Sequence, residues 1–346
     1  MRPRLISRRA EWLRAALVLT LGLWLHGCGL VPSRSAETAP VVTHSQILGR
    51  DQDFVVLLTQ PRDTLESLAA EYLGDRDQAW IIADFNRLTR LEAGKSLVIP
   101  LRPRNPGGIR PGGYQTVPVL CYHRIGSGRG KMIVSPGDFA EQMAYLAREG
   151  YRVISLPMLR DFLAGRGPLP AKSVVITFDD GYRSTYEFAF PILKKHGFPA
   201  TVFLYSDFIG AGDALSWSQL REMVGSGLIE IQPHSKSHTN LVLRLPQESD
   251  GAYQQRLRTE MEKPGELIRQ RLGREVYAYA YPYGDANQAV TVQMEHNRMA
   301  LGFTVTPGGN GFFAYPYLLR RTMVFGDDKL SEFKTKLAVF AGINGQ

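Results

Sequence analysis

The residues able to do chemistry gather in two short stretches of a 346-residue chain. The first is an apolar run, Ser173, Val174, Val175, Ile176, Thr177 and Phe178, that ends in Asp179, Asp180 and Gly181. Its uninterrupted β-branched residues predict a strand buried on both faces, with the two acids falling where the strand leaves its sheet. Successive side chains on an extended chain point to opposite sides, so Asp179 and Asp180 can face different partners, one a metal and the other a reacting water. The alternative is structural: Asp180 caps a helix starting near Arg183, and Gly181 relieves the turn.

The second stretch, from Gln232 to Asn240, also follows an apolar run and sets His234 and His238 four apart, within the range of zinc-binding pairs. No glutamate follows His234, which excludes the helical metalloprotease arrangement. Two imidazoles and one carboxylate make an open metal site with room for water. Both stretches follow predicted strands, so one face of a barrel would bring them together.

The elements that must do this positioning alternate from residue 117 onward. Strands are predicted at 117–122, 153–155, 174–178, 201–205, 228–231, 276–279, 303–305 and 321–324, and helices at 138–149, 186–196, 217–224, 252–272, 286–299 and 330–340. Such alternation predicts an α/β domain of parallel strands wrapped by helices, as a barrel or an open sheet. Cys121 sits inside the first apolar strand and reads as a buried, inert thiol, with no disulfide expected. Upstream, 102–116 is a linker rich in glycine and proline, and 53–101 is a small βααβ module with strands at 54–58 and 96–100 and helices at 63–73 and 78–86. Residues 28–52 have the composition of a tether.

Residues 1–27 carry five arginines ahead of an apolar run at 15–25, then Gly27 before Cys28. That is the order of an export signal, and the run is short for a membrane span; an uncleaved anchor is the alternative. The formal charge is +8, of which +4 lies before Cys28, leaving too little to argue for a nucleic-acid partner.

Residues 177–181 and 234–238 resemble the first two motifs of the polysaccharide deacetylases, the NodB-homology group or carbohydrate esterase family four, and 281–284 stands where their third motif belongs. The resemblance covers roughly 117–340 and implies an irregular (β/α) barrel of the NodB type. It further implies one divalent metal, usually zinc, held by Asp180, His234 and His238, with Asp179 as general base and the backbone N–H of Tyr283 as an oxyanion donor. Two positions depart from the pattern. No histidine follows His296, so the late histidine acid is missing. In exported poly-N-acetylglucosamine deacetylases an early histidine behind an apolar strand takes that role, and His123 matches it. Ala280 replaces the arginine that opens the third motif and orients the base, leaving Arg320 or Arg321 as substitutes. Trp217, after Ser216, resembles the tryptophan beside the family's groove, and with Tyr281 and Pro282 it is a substrate-binding candidate; core packing is the alternative.

The segment 53–101 resembles a LysM domain through residues 62–65, Ala69, 72–75, Ala83, Asn86 and 94–100, which implies binding to N-acetylglucosamine chains, peptidoglycan included. Residues 25–28 resemble a lipobox, which implies lipidation at Cys28 and, with Gly29 next, an anchor in the outer membrane. Together these resemblances imply an exported, metal-dependent N-deacetylase of an N-acetylglucosamine polymer. A catalytically silent wall-binding lipoprotein and an O-acetyl esterase acting on a decorated glycan are the alternatives.

Overall fold

The computed structural model of the protein describes residues 45–102 and 105–342, so the expected export signal, Cys28 and most of the tether lie outside the described residues. The parallel strands that position the site are β1 (Val117–Tyr122), β2 (Arg152–Val153), β3 (Ser173–Asp180), β4 (Ala200–Leu204), β5 (Ile229–Pro233), β6 (Ala278–Ala280), β7 (Leu301–Phe303) and β8 (Thr322–Met323). Between and after them lie α1 (Pro136–Arg148), α2 (Leu156–Leu163), α3 (Phe190–His196), α4 (Trp217–Gly225), α5 (Asp250–Leu272), α6 (Gln288–His296) and α7 (Leu330–Thr335). Strands β5, β4, β3 and β1 are neighbours in that order and parallel throughout; β8 joins β1 in parallel, and β6 pairs in parallel with β7. This is the expected irregular α/β barrel.

Alternation along the strands sorts side chains into two layers. Val174, Ile176 and Phe178 of β3 join Leu120, Tyr122, Val202 and Leu204 in the layer beneath the helices. Val175 instead joins Val117, Val119, Phe203, Ala280 and Phe303 in the other layer. The same alternation puts Thr177 and Asp179 on the Val175 side. Helix α1 is held onto β1 and β3 by an aromatic cluster in which Phe139 meets Tyr122 at 5.2 Å and Phe178 at 5.8 Å between ring centroids.

Among the described residues no backbone ladder joins β5 to β6. The fully buried amide of Gln232 crosses that seam instead: its Oε1 accepts from the N–H groups of Tyr277 and Ala278, and its Nε2 donates to the Glu275 carbonyl. One side chain thus supplies hydrogen bonds that a paired strand would have made, and no buried amide there is left unsatisfied.

Several elements differ from expectation. A strand, Gln46–Arg50, pairs antiparallel with Phe54–Leu58 inside the expected tether; all five residues are exposed, so backbone pairing alone defines it and no apolar alternation announced it. With Ser96–Pro100 it completes a three-stranded sheet against the helices Leu65–Leu73 and Ala79–Asn86, around Val55, Leu57, Leu68, Ile82 and Ile99. The helix expected over 330–340 stops at Thr335, and Phe340–Gly342 returns as a strand on Gly113–Gln115, within the expected linker. Helix α2 was not anticipated, although Ser155 and Pro157 are its start signals. The helix after β3 opens with a π turn, Thr185–Ala189.

Because Phe139 closes the α1 contact under the strands that carry both acids, Phe139→Ala should lower the unfolding free energy by about 3–5 kcal/mol. Urea denaturation measures this, and a loss below ~1 kcal/mol would show that β1 and β3 do not depend on that packing.

Candidate active site

Strand register decides which residues meet. Phe178 is level with Tyr122, Asp180 with Leu204, and Leu204 with Pro233. The next residues along β1 and β5 are His123 and His234, so both imidazoles leave the sheet at the edge where Asp179 and Asp180 do. The turn Pro282–Gly284 leaves β6 at this edge, and its Tyr283 ring lies 4.9 Å from that of His238. Together they line a cavity of about 400 Å³ that also includes Arg124, Tyr182, Val305 and Met323.

Asp179 is 2% exposed, and burial by itself would keep it neutral. Arg321, fully buried, reverses this: Nη1 donates to Oδ1 at 2.6 Å and Nη2 to Oδ2 at 2.7 Å. Against the pull of desolvation, the guanidinium charge and these hydrogen bonds hold the carboxyl well below the usual carboxylate range. Arg321 is fixed in turn by its Nε donating to the Thr304 carbonyl and by lying 5.5 Å above the Phe203 ring. Arg320 points elsewhere, with Nη1 on the Pro307 carbonyl. Of the two arginines expected to substitute for the third-motif residue, only Arg321 reaches Asp179. The thiol of buried Cys121 donates to Asp179 Oδ2 at 3.4 Å, and burial pushes its pKa well up, so it is inert as expected.

Asp180 ends β3 with φ of +71°, which breaks the pleat, and Gly181 follows at +86°. A Cβ on Gly181 would lie 2.9 Å from that of Leu204, so this turn needs glycine both for its φ and for space. Asp180 does not cap the following helix, which starts at Arg183. Its carboxylate instead faces the histidines: Oδ1 lies 3.2 Å from His238 Nε2 and 3.7 Å from His234 Nε2. His234 Nδ1 is 2.8 Å from the Ala280 carbonyl, an acceptor only, so Nδ1 carries the proton and Nε2 presents a lone pair to the acids. Burial lowers the His234 pKa and keeps the ring neutral. His238 is also penalised by burial, but the adjacent Asp180 carboxylate outweighs this and raises its pKa.

Asp180, His234 and His238 bring one ligand atom each to within 4.8 Å of the others. Asp180 Oδ1 lies in a buried carboxylate between the two rings, close to His238 Nε2, and it also faces the bare Nε2 of His234. An acceptor facing an acceptor inside a protein is unfavourable unless a cation or a proton lies between them, so this donor set fits a divalent metal. The His loop is a tight turn rather than a helix, with φ of +81° at Ser235 and +59° at His238. Glu260 of α5, unnoticed in the sequence, holds it by accepting from Lys236 N, Ser237 N and Ser237 Oγ. No local motif marks Glu260, because its partners lie more than twenty residues earlier.

His123 lies beside the acids: an imidazole nitrogen, Cys121 Sγ and an Asp179 oxygen fall within 4.8 Å of one another, and Nδ1 is buried without a partner. Tyr281 is fully buried with its hydroxyl donating to the Tyr317 carbonyl, so it shapes the wall and offers no polar contact, and Pro282 is buried beside it without lining the cavity. Trp217 is not brought to the cavity. It begins α4 after a Ser216 capping box, packs against the core, and has Arg271 5.8 Å above its ring. Core packing, the alternative reading of this residue, is what the structure has.

Removing the guanidinium would leave a buried carboxylate without its counter-charge. Arg321→Met should therefore cost about 3–5 kcal/mol at pH 7, measured by denaturation with chelator present. A carboxylate with a depressed folded pKa stabilises above its unfolded pKa and loses that contribution as pH falls. In the variant, burial without the guanidinium raises the Asp179 pKa, so the gap should begin to narrow above the ordinary carboxylate range and keep closing as pH falls through it, and a gap that persists unchanged in strong acid would contradict the assignment.

A profile of the polysaccharide deacetylase family matches residues 166–301. The chain is 31% identical over 209 residues to YxkH of Bacillus subtilis, a protein assigned to the polysaccharide deacetylases, covering 60% of this chain and 71% of that one. It is 29% identical over 211 residues to the poly-beta-1,6-N-acetyl-D-glucosamine N-deacetylase of Escherichia coli, covering 51% of this chain but only 31% of the longer relative. Among solved structures, IcaB from Ammonifex degensii aligns with a TM-score of 0.58 and 29% identity over 65% of this chain and 98% of that one. With two acids, two histidines and the turn at 281–284 gathered at one edge of such a barrel, the chain belongs to the polysaccharide deacetylase family and is a hydrolase of that class.

Proposed function

We propose that the protein removes N-acetyl groups from an extracytoplasmic N-acetylglucosamine polymer, with Asp180, His234 and His238 holding one divalent metal, zinc in our reading. The observation that supports this most is the convergence of one Asp180 oxygen with the Nε2 atoms of His234 and His238, next to an ionised Asp179. The metal, when bound, would acidify a water and polarise the acetyl carbonyl. Asp179 takes the proton of the attacking water, its orientation fixed by the Arg321 fork. The backbone N–H of Tyr283, in a turn with φ of +63°, is our oxyanion donor. His123, across the acids from the metal-holding pair, protonates the departing amine so that acetate and a free glucosamine remain.

The substrate assignment draws on the Escherichia coli relative, named for poly-beta-1,6-N-acetyl-D-glucosamine. We also assign 53–101 as a LysM-like glycan-binding module and Cys28 as the lipid anchor of an exported, outer-membrane protein. Holding enzyme and polymer together raises the local concentration of sites without altering the chemistry.

Acetate release from poly-N-acetylglucosamine, peptidoglycan and acetylxylan, with and without chelator, tests the reading. The wild type should act on an N-acetylglucosamine polymer and stop with chelator, and Asp179→Asn and His123→Ala should each lower kcat by about 10²–10⁴. Release from acetylxylan alone would mean an esterase, and no release from any glycan would mean a binding protein. Glu260→Ala should weaken zinc affinity by about 10–100-fold in a competition titration, since the loop carrying both histidines would lose its anchor.

A further inference from the structure

The cavity at the acids does not end there. Its wall at Val305 and Met323 also lines a second cavity of about 450 Å³, which runs past Gly308, Thr322 and Lys336. That cavity shares Gly309 and Ala338 with a third, of about 470 Å³. The third opens onto aromatic rings that a folded chain ordinarily buries: Phe313 is 62% exposed, Tyr315 52% and Phe340 46%. These rings are held in place. Tyr114 meets Phe313 edge-on at 4.9 Å, Phe312 meets it on another side at 5.2 Å, and Tyr317 meets Tyr315 at 5.7 Å. Pre-ordered rings keep a face open while losing little side-chain freedom on binding. Arg320, exposed, lines the same cavity and adds a polar group among the rings, while the buried Asn310 and Thr116 side chains bond backbone groups beneath it.

A contiguous exposed apolar patch marks a binding surface, and its continuity with the reacting centre says what binds. The shared lining residues lead from the acids to the N-terminal end of β1, where Gly309 and Asn310 pair with Pro118 and Val117, so a ligand spanning all three cavities runs the length of that strand, as an extended polymer can. Sugar rings offer apolar C–H faces with hydroxyls at the edges, which suits aromatic faces interleaved with polar groups. A cavity of about 400 Å³ at the acids lies near the lower end of ligand pockets, roughly 300–1,000 Å³. It takes the reacting sugar, and the rest of a polymer must lie elsewhere.

We propose that the three cavities form one groove for the polysaccharide, with Tyr114, Phe313, Tyr315 and Phe340 as a distal subsite that grips the polymer several sugars away from the acetyl group being removed. This rests on the reading of the acids as a site for an N-acetylglucosamine polymer. Two measurements on the double variant Phe313→Ala/Tyr315→Ala separate the two ideas. In turnover, KM for a long soluble poly-N-acetylglucosamine should rise about tenfold with kcat unchanged, while both constants for a short N-acetylglucosamine trimer stay as in wild type. In binding, the same substitutions added to an Asp179→Asn protein should weaken its retardation by the long polymer in affinity electrophoresis, and Phe313→Tyr/Tyr315→Phe should restore it.

Equal effects on polymer and trimer, or unchanged retardation, would overturn the groove. So would loss of a dimer in light scattering with polymer affinity intact, which would make the cluster a contact between copies. A wild-type protein that releases no acetate from any glycan defeats the functional reading alone, because the retardation experiment still decides whether the aromatic cluster holds the polymer.

Discussion

A carboxylate almost sealed from water remains an anion only if a cation is fixed beside it, and the interior of this barrel is arranged around that requirement. Arg321 meets Asp179 through both nitrogens across 142 residues of sequence, so the pair forms only when the last parallel strand has joined the sheet. A buried pair of this kind contributes little net stability compared with well-packed apolar residues. What it does contribute is a carboxylate of known charge and orientation. Thr304, Phe203 and Cys121 all serve that orientation, either by holding the arginine or by contacting the acid.

Conformational strain concentrates around the same edge. Of the eight non-glycine residues with positive φ among the described residues, Asp180, Ser235, His238 and Tyr283 all belong to the three turns at the cavity. Each such residue costs of order 1–3 kcal/mol and persists only where its surroundings over-determine it. Here the restraints are identifiable: Gly181 beside Leu204, Glu260 under the His loop, and the Asn240 amide donating to Asp285 across to the third turn. A divided barrel sheet thus presents rigid turns rather than flexible loops to its substrate.

Much of this was legible before any coordinates. The β-branched run at 174–176 identified β3, and two acids behind it could only lie at its edge; the alternation of strands and helices supplied the parallel order that brings His234 to the same edge. What could not be read falls into three physical kinds. Strand Gln46–Arg50 has no buried face and so no pattern. Arg320 and Arg321 precede a two-residue strand, and adjacent residues on a strand face opposite sides, yet nothing local says which side is inward. Trp217 and Glu260 depend on tertiary neighbours: the same tryptophan signal serves a groove or a helix start, and a glutamate in the middle of a polar helix carries no mark of the loop it supports.

The seam between β5 and β6 has a further meaning. It is stitched by Gln232 and, one turn of chain later, by the His234 ring on the Ala280 carbonyl. An imidazole that braces the wall on one nitrogen and faces the acids with the other links the closure of the ring to whatever its free nitrogen holds. The closure of the ring and the occupancy of the site therefore share one side chain, and a substitution at His234 would alter both together.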